Sequence, residues 1–346
     1  RHVRPLLALA ATLALLAGIV TPPGRAVFDS LRDAIGRERV VGVRKAKPAL
    51  FSLPASGRVL SASRRGTWIV QANGSKRLLG RYRDPSWSPS GLFVAAIRGD
   101  ELIALDPKGR VRWSVARPRL AAPSWTGNRR DARIAYLSGR TLRVIAGDGR
   151  GDRLIARAVG SVAPAWRPGP ERHLAFVLRS GRLRVVDSES RRVLWSGTAN
   201  PKSGQLEWSR DGRRLLVVDG RRLRLYTERG RVVRSLRMPR GRFVLDADFR
   251  PGSHDFAYST VHPPTHRGRI LAVTGRTARQ AFAGTGWFGD LSWSPDGRWL
   301  GFSWREANQW VFLRLRGDRV GKIAAVSNIA SQLGRDPYLA GWCCAP

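Results

Sequence analysis

The sequence predicts an all-β fold, a β-propeller closed by its own two ends, from three observations. An aromatic residue followed by a short polar turn and an apolar run recurs every 38 to 49 residues. Each unit contains short strands in which apolar and charged residues alternate, and no helical period competes with them. The first unit lacks the aromatic strand that the last unit supplies. A period near 40 residues with β-type content is typical of propeller blades.

The recurring aromatic residue stands at the same place in every unit. The full set is Trp87, Trp125, Trp166, Trp208, Phe249, Trp293 and Trp342. The clearest unit reads Trp293-Ser-Pro-Asp-Gly297, and Asp-Gly supplies the positive φ that a tight hairpin demands. A tryptophan that buries on the order of 200 Å² suits the wedge between two blades. We therefore interpret these aromatic residues as structural and not as a stacking surface for a ligand.

The strands that follow each turn are predicted from apolar runs and from leucine–arginine alternation. The predicted second strands are residues 92–97, 134–137, 174–178, 215–218, 256–258 and 299–304. Residues 58–80 give three further strands without an aromatic strand before them, and YLAGWCC (338–344) gives an aromatic strand with none after it. Joined, they form one composite blade, so that closure removes the exposed sheet edges. We predict seven blades over residues 57–346, with six as the alternative if one divergent unit forms no full sheet.

The charge of the chain is extreme but does not by itself indicate a ligand. The formal net charge is +37, which favours nucleic acid as a first hypothesis. However, 56 of the 62 basic residues are arginine, and they are spread along the chain without a recognition motif. We interpret them as solvated faces and expect no specific nucleic-acid site. Attraction to an anionic lipid or envelope polymer stays open, and binding by charge alone would show steep salt sensitivity.

The N-terminus predicts a membrane segment. Residues 1–4 form a basic stub, and residues 5–21 contain an uncharged apolar run from Leu6 to Val20. We favour an uncleaved transmembrane anchor with the propeller extracytoplasmic, and a cleaved signal is the alternative. Residues 22–56 predict a short membrane-proximal helix and then a linker. Val27, Phe28, Leu31 and Ile35 share one face of this helix, which lies on the membrane surface or, alternatively, packs on the main domain. Because the sequence begins without Met, a missing upstream cytoplasmic domain is a further expectation.

The turn motif places the propeller near a known family. Trp293-Ser-Pro-Asp-Gly297 matches fully, while Trp87-Ser-Pro-Ser-Gly91 and Trp208-Ser-Arg-Asp-Gly212 each miss one position. This pattern resembles the repeat of TolB-type β-propellers, which are relatives of the WD-repeat class, over about residues 57–346. The membrane-anchored, arginine-rich form resembles uncharacterised actinobacterial envelope proteins. The resemblance implies the fold and leaves the function open, because the family includes envelope subunits, sensors and non-catalytic domains of peptidases.

Two groups of residues are candidates for chemistry or binding. His262 and His266 form the only local histidine pair, but two prolines between them forbid a regular helix, and we predict an exposed loop and no metal. Asp246 and Asp248 share one strand face and are predicted to line the central channel beside Asp290. Such carboxylates suit acid–base catalysis or cation binding, but we prefer backbone hydrogen bonds or arginine partners as their role.

Cys343 and Cys344, the only cysteines, are adjacent in the predicted closing strand. Neighbouring strand side chains point to opposite faces, so we expect buried free thiols. A vicinal disulfide and intermolecular pairing are the alternatives.

The sequence favours a binding function over an enzymatic one. No nucleophile elbow, phosphate loop or dinucleotide fingerprint is present, and we expect no cofactor. The preferred hypothesis is a non-catalytic, membrane-anchored platform for a protein or an anionic envelope polymer, and one version of it is the sensor part of a transmembrane signalling protein. Its candidate binding residues are Arg129, Arg130, His262, His266, Arg267, Asp246, Asp248 and Asp290. The alternative is a lyase or hydrolase acting on acidic polysaccharide, and the oligomeric state is left open.

Overall fold

A computed structural model describes residues 52–126 and 131–344 of the chain. Within this part the chain forms seven four-stranded antiparallel sheets, arranged as the blades of a β-propeller. The prediction of seven blades is confirmed, and the six-bladed alternative is wrong. Blades 1 to 6 follow in chain order, and blade 7 joins the two ends of the propeller.

Each blade presents one inner strand to the central channel and three further strands towards the outside. The inner strands of blades 1 to 7 are β4 (Arg83–Trp87), β8 (Leu120–Trp125), β12 (Ala165–Trp166), β16 (Gly204–Trp208), β20 (Phe243–Phe249), β24 (Phe288–Trp293) and β28 (Tyr338–Cys343). The second strands are β5 (Val94–Arg98), β9 (Arg133–Ser138), β13 (His173–Val177), β17 (Arg214–Asp219), β21 (Phe256–His262), β25 (Trp299–Trp304) and β1 (Arg58–Ser63).

The outer half of each blade is a hairpin. The third strands are β6 (Glu101–Leu105), β10 (Thr141–Ala146), β14 (Arg182–Asp187), β18 (Arg222–Thr227), β22 (Arg267–Thr274), β26 (Gln309–Arg316) and β2 (Gly66–Gln71). The fourth strands are β7 (Val111–Ala116), β11 (Arg153–Arg157), β15 (Val193–Thr198), β19 (Val232–Arg237), β23 (Thr277–Thr285), β27 (Arg319–Ser327) and β3 (Lys76–Gly80). A 3₁₀ turn (Pro263–Thr265) and the short helix α1 (Ile329–Leu333) complete the described elements.

Blade 7 closes the ring as the sequence predicts. Strand β1 pairs antiparallel with β28, and Val59 stands opposite Trp342. The inner strand of this blade therefore comes from the C-terminal end of the described chain, and its other three strands come from the N-terminal end. This pairing leaves neither end of the ring as an open sheet edge.

The antiparallel order defines two faces of the propeller. The top face carries the connections between blades and the turns between second and third strands. The bottom face carries the aromatic-turn motifs and the turns between third and fourth strands. Polar residues near the start of an inner strand consequently lie around the top opening of the channel.

The hydrophobic core lies between neighbouring blades. Trp166 of blade 3 shares a cluster with Leu137 and Val144 of blade 2, and Trp293 of blade 6 shares one with Ile270 of blade 5. Six of the seven repeat aromatics are less than 9% exposed, at Trp125, Trp166, Trp208, Phe249, Trp293 and Trp342. Trp87 is half-buried. The large aromatic side chain fills the wedge where two twisted sheets diverge.

Side-chain hydrogen bonds explain the residues of the turn motif. Ser294 Oγ donates to Asp296 Oδ1 at 2.5 Å and accepts the N–H of Trp299 at 2.9 Å. Asp296 Oδ1 also accepts the N–H of Arg298 at 3.1 Å. Gly297 has a φ of 65°, a left-handed conformation that glycine adopts without steric cost. The motif therefore satisfies the polar groups of a tight turn internally.

The predicted membrane segment (5–21) and membrane-proximal helix lie outside the described residues, as does all of the linker before residue 52. No helix within residues 52–126 and 131–344 has the length and apolarity needed to cross a bilayer.

Candidate functional site

A cavity of about 580 Å³ opens on the top face at the channel mouth, where blades 4, 5 and 6 meet. It combines carboxylates, an amide, a guanidinium and an indole ring. Its lining residues are Gln205, Leu245, Asp246, Trp287, Gly289, Asp290, Arg305 and Glu306. Its volume lies within the range of about 300–1,000 Å³ typical of ligand sites.

Two predicted aspartates connect neighbouring blades through the backbone. Asp246 Oδ2 accepts the N–H of Leu291 in blade 6 at 2.6 Å, while its Oδ1 accepts the N–H of Ala247 at 2.8 Å. Asp248 Oδ2 accepts the N–H of Trp293 at 3.1 Å. These bonds agree with the preferred structural role, because they satisfy backbone donors that no strand partner reaches.

Gln205 makes the equivalent connection between blades 4 and 5. Its Nε2 donates to the carbonyl oxygen of Ala247 at 2.8 Å, and its Oε1 accepts the N–H of the same residue at 2.8 Å. These two hydrogen bonds between the Gln205 side chain and the backbone of Ala247 fix the amide group at the cavity wall.

The carboxyl groups in this part of the channel favour their protonated forms. Burial raises the pKa of Asp246 to about 8, with further contributions from the charges of Asp290 and Asp248. Burial also raises the pKa of Asp248 to about 7. The pKa of Glu207 is well above its usual value because of burial and the two neighbouring aspartates. Desolvation and like charges both disfavour ionisation here.

Asp290 differs from the other channel carboxylates in its backbone and in its hydrogen bonding. Its φ is 58°, a left-handed conformation that aspartate tolerates better than most residues, and the pairing of β24 with β25 shifts register here. Its Oδ2 lies 3.5 Å from Nη2 of Arg305. The same atom is buried and has no hydrogen-bond partner among the described residues. Burial raises the pKa of Asp290, which the charge of Arg305 partly opposes.

Trp287 gives the cavity an exposed aromatic surface. It is 41% exposed, unlike the buried repeat tryptophans. Both carboxylate oxygens of Glu306 lie near its backbone N–H, at 3.1 and 3.2 Å. The carboxylate therefore anchors the backbone of Trp287 while the indole ring stays accessible.

The remaining predicted binding residues do not join this cavity. His262 ends β21, and its Nδ1 lies 2.8 Å from Oγ1 of Thr265. His266 follows the 3₁₀ turn with a φ of 48°, and Arg267 begins β22 and is exposed. The predicted exposed loop is present as a connection of four residues (263–266), because β21 extends to His262 and β22 begins at Arg267. Arg129 and Arg130 lie outside the described residues.

No group of three or more potential ligands within the described ranges could hold a metal ion. Asp246 and Asp248 use their carboxylate oxygens on backbone donors.

The expectation of free thiols is wrong, because Cys343 and Cys344 form a vicinal disulfide. Strand β28 ends at Cys343, and Cys344 has a φ of 50°. Side-chain alternation applies only to extended backbone, so this left-handed residue allows the two sulfurs to meet. The pair lies on the bottom face, where Sγ of Cys344 is 3.8 Å from the carbonyl oxygen of Pro89.

Six lining residues were not predicted from the sequence as site residues: Gln205, Leu245, Trp287, Gly289, Arg305 and Glu306. Glu207 is a further channel residue that was missed. Trp287 carried a usable signal, because it is a tryptophan outside the repeat position and near the start of a blade. The others become neighbours only when three blades are placed side by side.

Comparisons with known proteins support the fold. No protein-family model matches the chain, and no curated protein matches its sequence. The structure is similar to the β-propeller domain of Cps50 (Swd1) from Myceliophteria thermophila, with a TM-score of 0.60 and 14% identity over 77% of this chain and 98% of that one. A chain of the mitotic checkpoint complex matches with a TM-score of 0.58 and 16% identity over 81% and 99%.

Hydrazine synthase from Kuenenia stuttgartiensis is a third similar structure, with a TM-score of 0.52 and 14% identity over 66% of this chain and 75% of that one. At these identities the similarity concerns the fold alone. The chain has the WD40-like, seven-bladed β-propeller fold.

Proposed function

We propose that this protein is a non-catalytic binding platform that recognises its partner with the top-face cavity. The partner is a protein or a polymer of the cell envelope. In this proposal residues 5–21 hold the propeller at the membrane, and the propeller lies outside the cytoplasm.

The exposed indole of Trp287 is the observation that carries the proposal. A tryptophan with 41% of its surface exposed in a concave, polar-rimmed site is the kind of residue that contributes most to binding energy in interfaces. It is free of the structural role that buries the repeat tryptophans between blades. Its backbone N–H is held by Glu306, so the backbone at this residue loses little conformational freedom on binding.

A propeller enzyme is the second candidate, and one observation favours it. Asp246 lines the cavity with a pKa raised to about 8, as a general acid at neutral pH requires. Against this role, both oxygens of Asp246 accept backbone N–H bonds within the blade core. A group held in this way is better explained as a structural link between blades.

The test compares capture by three forms of the full chain, solubilised in detergent and crosslinked to an envelope fraction at moderate salt. We expect wild type to recover one defined partner, which then binds the purified chain. W287A should weaken that binding by at least tenfold. F93A is the matched control, because Phe93 is 36% exposed but lies on the bottom face. Retention by W287A, or loss by F93A alone, contradicts the proposed use of the top face.

A further inference from the structure

We propose that the top-face cavity binds a neutral saccharide unit. This inference rests on the proposed platform function and names the chemistry of what the platform recognises.

The apolar part of such a site is present in Trp287. One face of a pyranose ring carries mainly C–H groups, and an exposed indole offers a flat surface on which such groups can pack. The ring is 41% exposed and borders a cavity of about 580 Å³, which is large enough for one or two sugar rings.

The polar part of the site combines a carboxylate with a guanidinium. Asp290 and Arg305 both line the cavity, and Nη2 of Arg305 lies 3.5 Å from Oδ2 of Asp290. The side chain of Arg305 is 55% exposed and offers hydrogen-bond donors, whereas the partly exposed side chain of Asp290 offers acceptors. A sugar ring carries hydroxyls that both donate and accept, so neighbouring hydroxyls can bond the two side chains.

The charges of the site favour a neutral ligand over an acidic one. Asp290 and Arg305 offset each other, and the raised pKa of Asp246 keeps that group largely uncharged at neutral pH. An acidic polymer would bring its carboxylates against Asp290 and Glu306. A basic side chain would meet Arg305, whose side chain is 55% exposed. A polyhydroxylated ligand meets neither repulsion and uses donors and acceptors alike.

Two parts of the cavity wall are held by hydrogen bonds within the protein. Gln205 is held by two hydrogen bonds to Ala247, and the backbone of Trp287 is held by Glu306. Preorganised polar groups reduce the entropy lost on binding, which matters for a weakly hydrophobic ligand.

The test is an array of immobilised neutral and uronic-acid-containing oligosaccharides, probed with the full chain in a detergent that has no sugar headgroup. We expect binding to neutral oligosaccharides, with W287A and D290N each reducing it at least tenfold. F243A is the matched control, because Phe243 is exposed on the top-face side of β20 but does not line the cavity. It should bind as wild type does, and thermal unfolding should verify that all variants fold.

Binding only to acidic oligosaccharides, binding that W287A retains, or no binding at all would each overturn the saccharide proposal. The platform proposal fails separately. If capture from the envelope fraction depends on Trp287 but the chain binds no oligosaccharide on the array, the platform proposal is retained and its ligand is a protein. If a defined partner is captured without dependence on Trp287, the platform uses another surface and both proposals for this cavity fail.

Discussion

Arg250 of blade 5 donates from Nε to the carbonyl oxygen of Gly297 in blade 6 at 2.7 Å. Its guanidinium also lies over the ring of Trp293, with Cζ 5.5 Å from the ring centroid. Arg167 makes the same bond to Gly212 in the next blade at 2.8 Å. An arginine directly after the repeat aromatic therefore joins one blade to the turn of its neighbour.

The closing blade reproduces this contact with a residue from another strand. Cys343 follows Trp342, so no arginine is available at that position. Arg58 of β1 instead donates from Nη2 to the carbonyl oxygen of Gly91 at 2.8 Å, and its Cζ lies 5.0 Å from the centroid of Trp87. The ring therefore keeps the same contact between blades 7 and 1.

The first prediction concerns this arginine contact. R250A should lower the free energy of unfolding by about 1–3 kcal/mol, because it removes a charged hydrogen bond and a cation–π contact. The stability of R250K should lie between that of wild type and that of R250A, since an ammonium group cannot reproduce the planar contact of a guanidinium with the ring. Chemical denaturation measures the difference. R298A is the control: Arg298 is exposed on the same turn, and its removal should change stability by less than about 0.5 kcal/mol. Equal losses in R250A and R298A would contradict the assignment.

The propeller was predictable from local features, whereas most of the site was not. Trp293 and its turn reveal a blade because their spacing and chemistry recur along the chain. The environment of Asp290 depends on a register shift in the pairing of β24 with β25. No residue type in β24 predicts this shift. Glu207 meets Asp246 and Asp248 only after blades 4 and 5 pack together. Contacts between units depend on how the blades pack, and the period of the repeat does not specify them.

The second prediction uses the incomplete turn of blade 1. Ser209 Oγ donates to the carboxylate of Asp211 at 2.6 Å in blade 4, whereas Ser88 Oγ in blade 1 faces the hydroxyl of Ser90 at 3.3 Å in place of a carboxylate. S90D should complete the motif and raise stability by about 0.5–1 kcal/mol. Thermal unfolding measures the gain. S90A is the control, because it removes the serine hydroxyl without supplying a carboxylate. A Tm at or below that of wild type would show that the motif does not transfer between blades.

The third prediction concerns pH. The folded protein holds protons on Asp246 and Asp248 that unfolded carboxyls release above pH of about 4. Stability from these groups is therefore fully present at low pH and is lost as pH rises towards about 8. E207Q removes a neighbouring carboxyl and should reduce the fall in Tm between pH 5 and pH 8.

Two other groups define the control for that measurement. The hydrogen bond from Arg153 and the charges of the neighbouring arginines overcome desolvation and lower the pKa of Glu189, so E189Q should shift Tm equally at both pH values. Burial lowers the pKa of His173, and this histidine acts in the opposite direction as pH rises. The comparison is therefore made between E207Q and wild type. If Tm falls between pH 5 and pH 8 as much in E207Q as in wild type, the carboxyl cluster is not the cause of the fall.

The fourth prediction separates the two features of the closing strand. Trp342 is buried, packs edge-on against Phe312 of blade 6 at 5.4 Å, and donates to the carbonyl oxygen of Ser56 at 3.2 Å. W342A should cost about 3–5 kcal/mol, because it empties the wedge at the seam where the ring closes. The adjacent cysteines enclose no chain loop, so their disulfide restricts the unfolded chain very little. The double variant C343A/C344A should consequently stay within about 1 kcal/mol of wild type in chemical denaturation. If the double variant instead unfolds as easily as W342A, the disulfide and not the packed strand holds the seam.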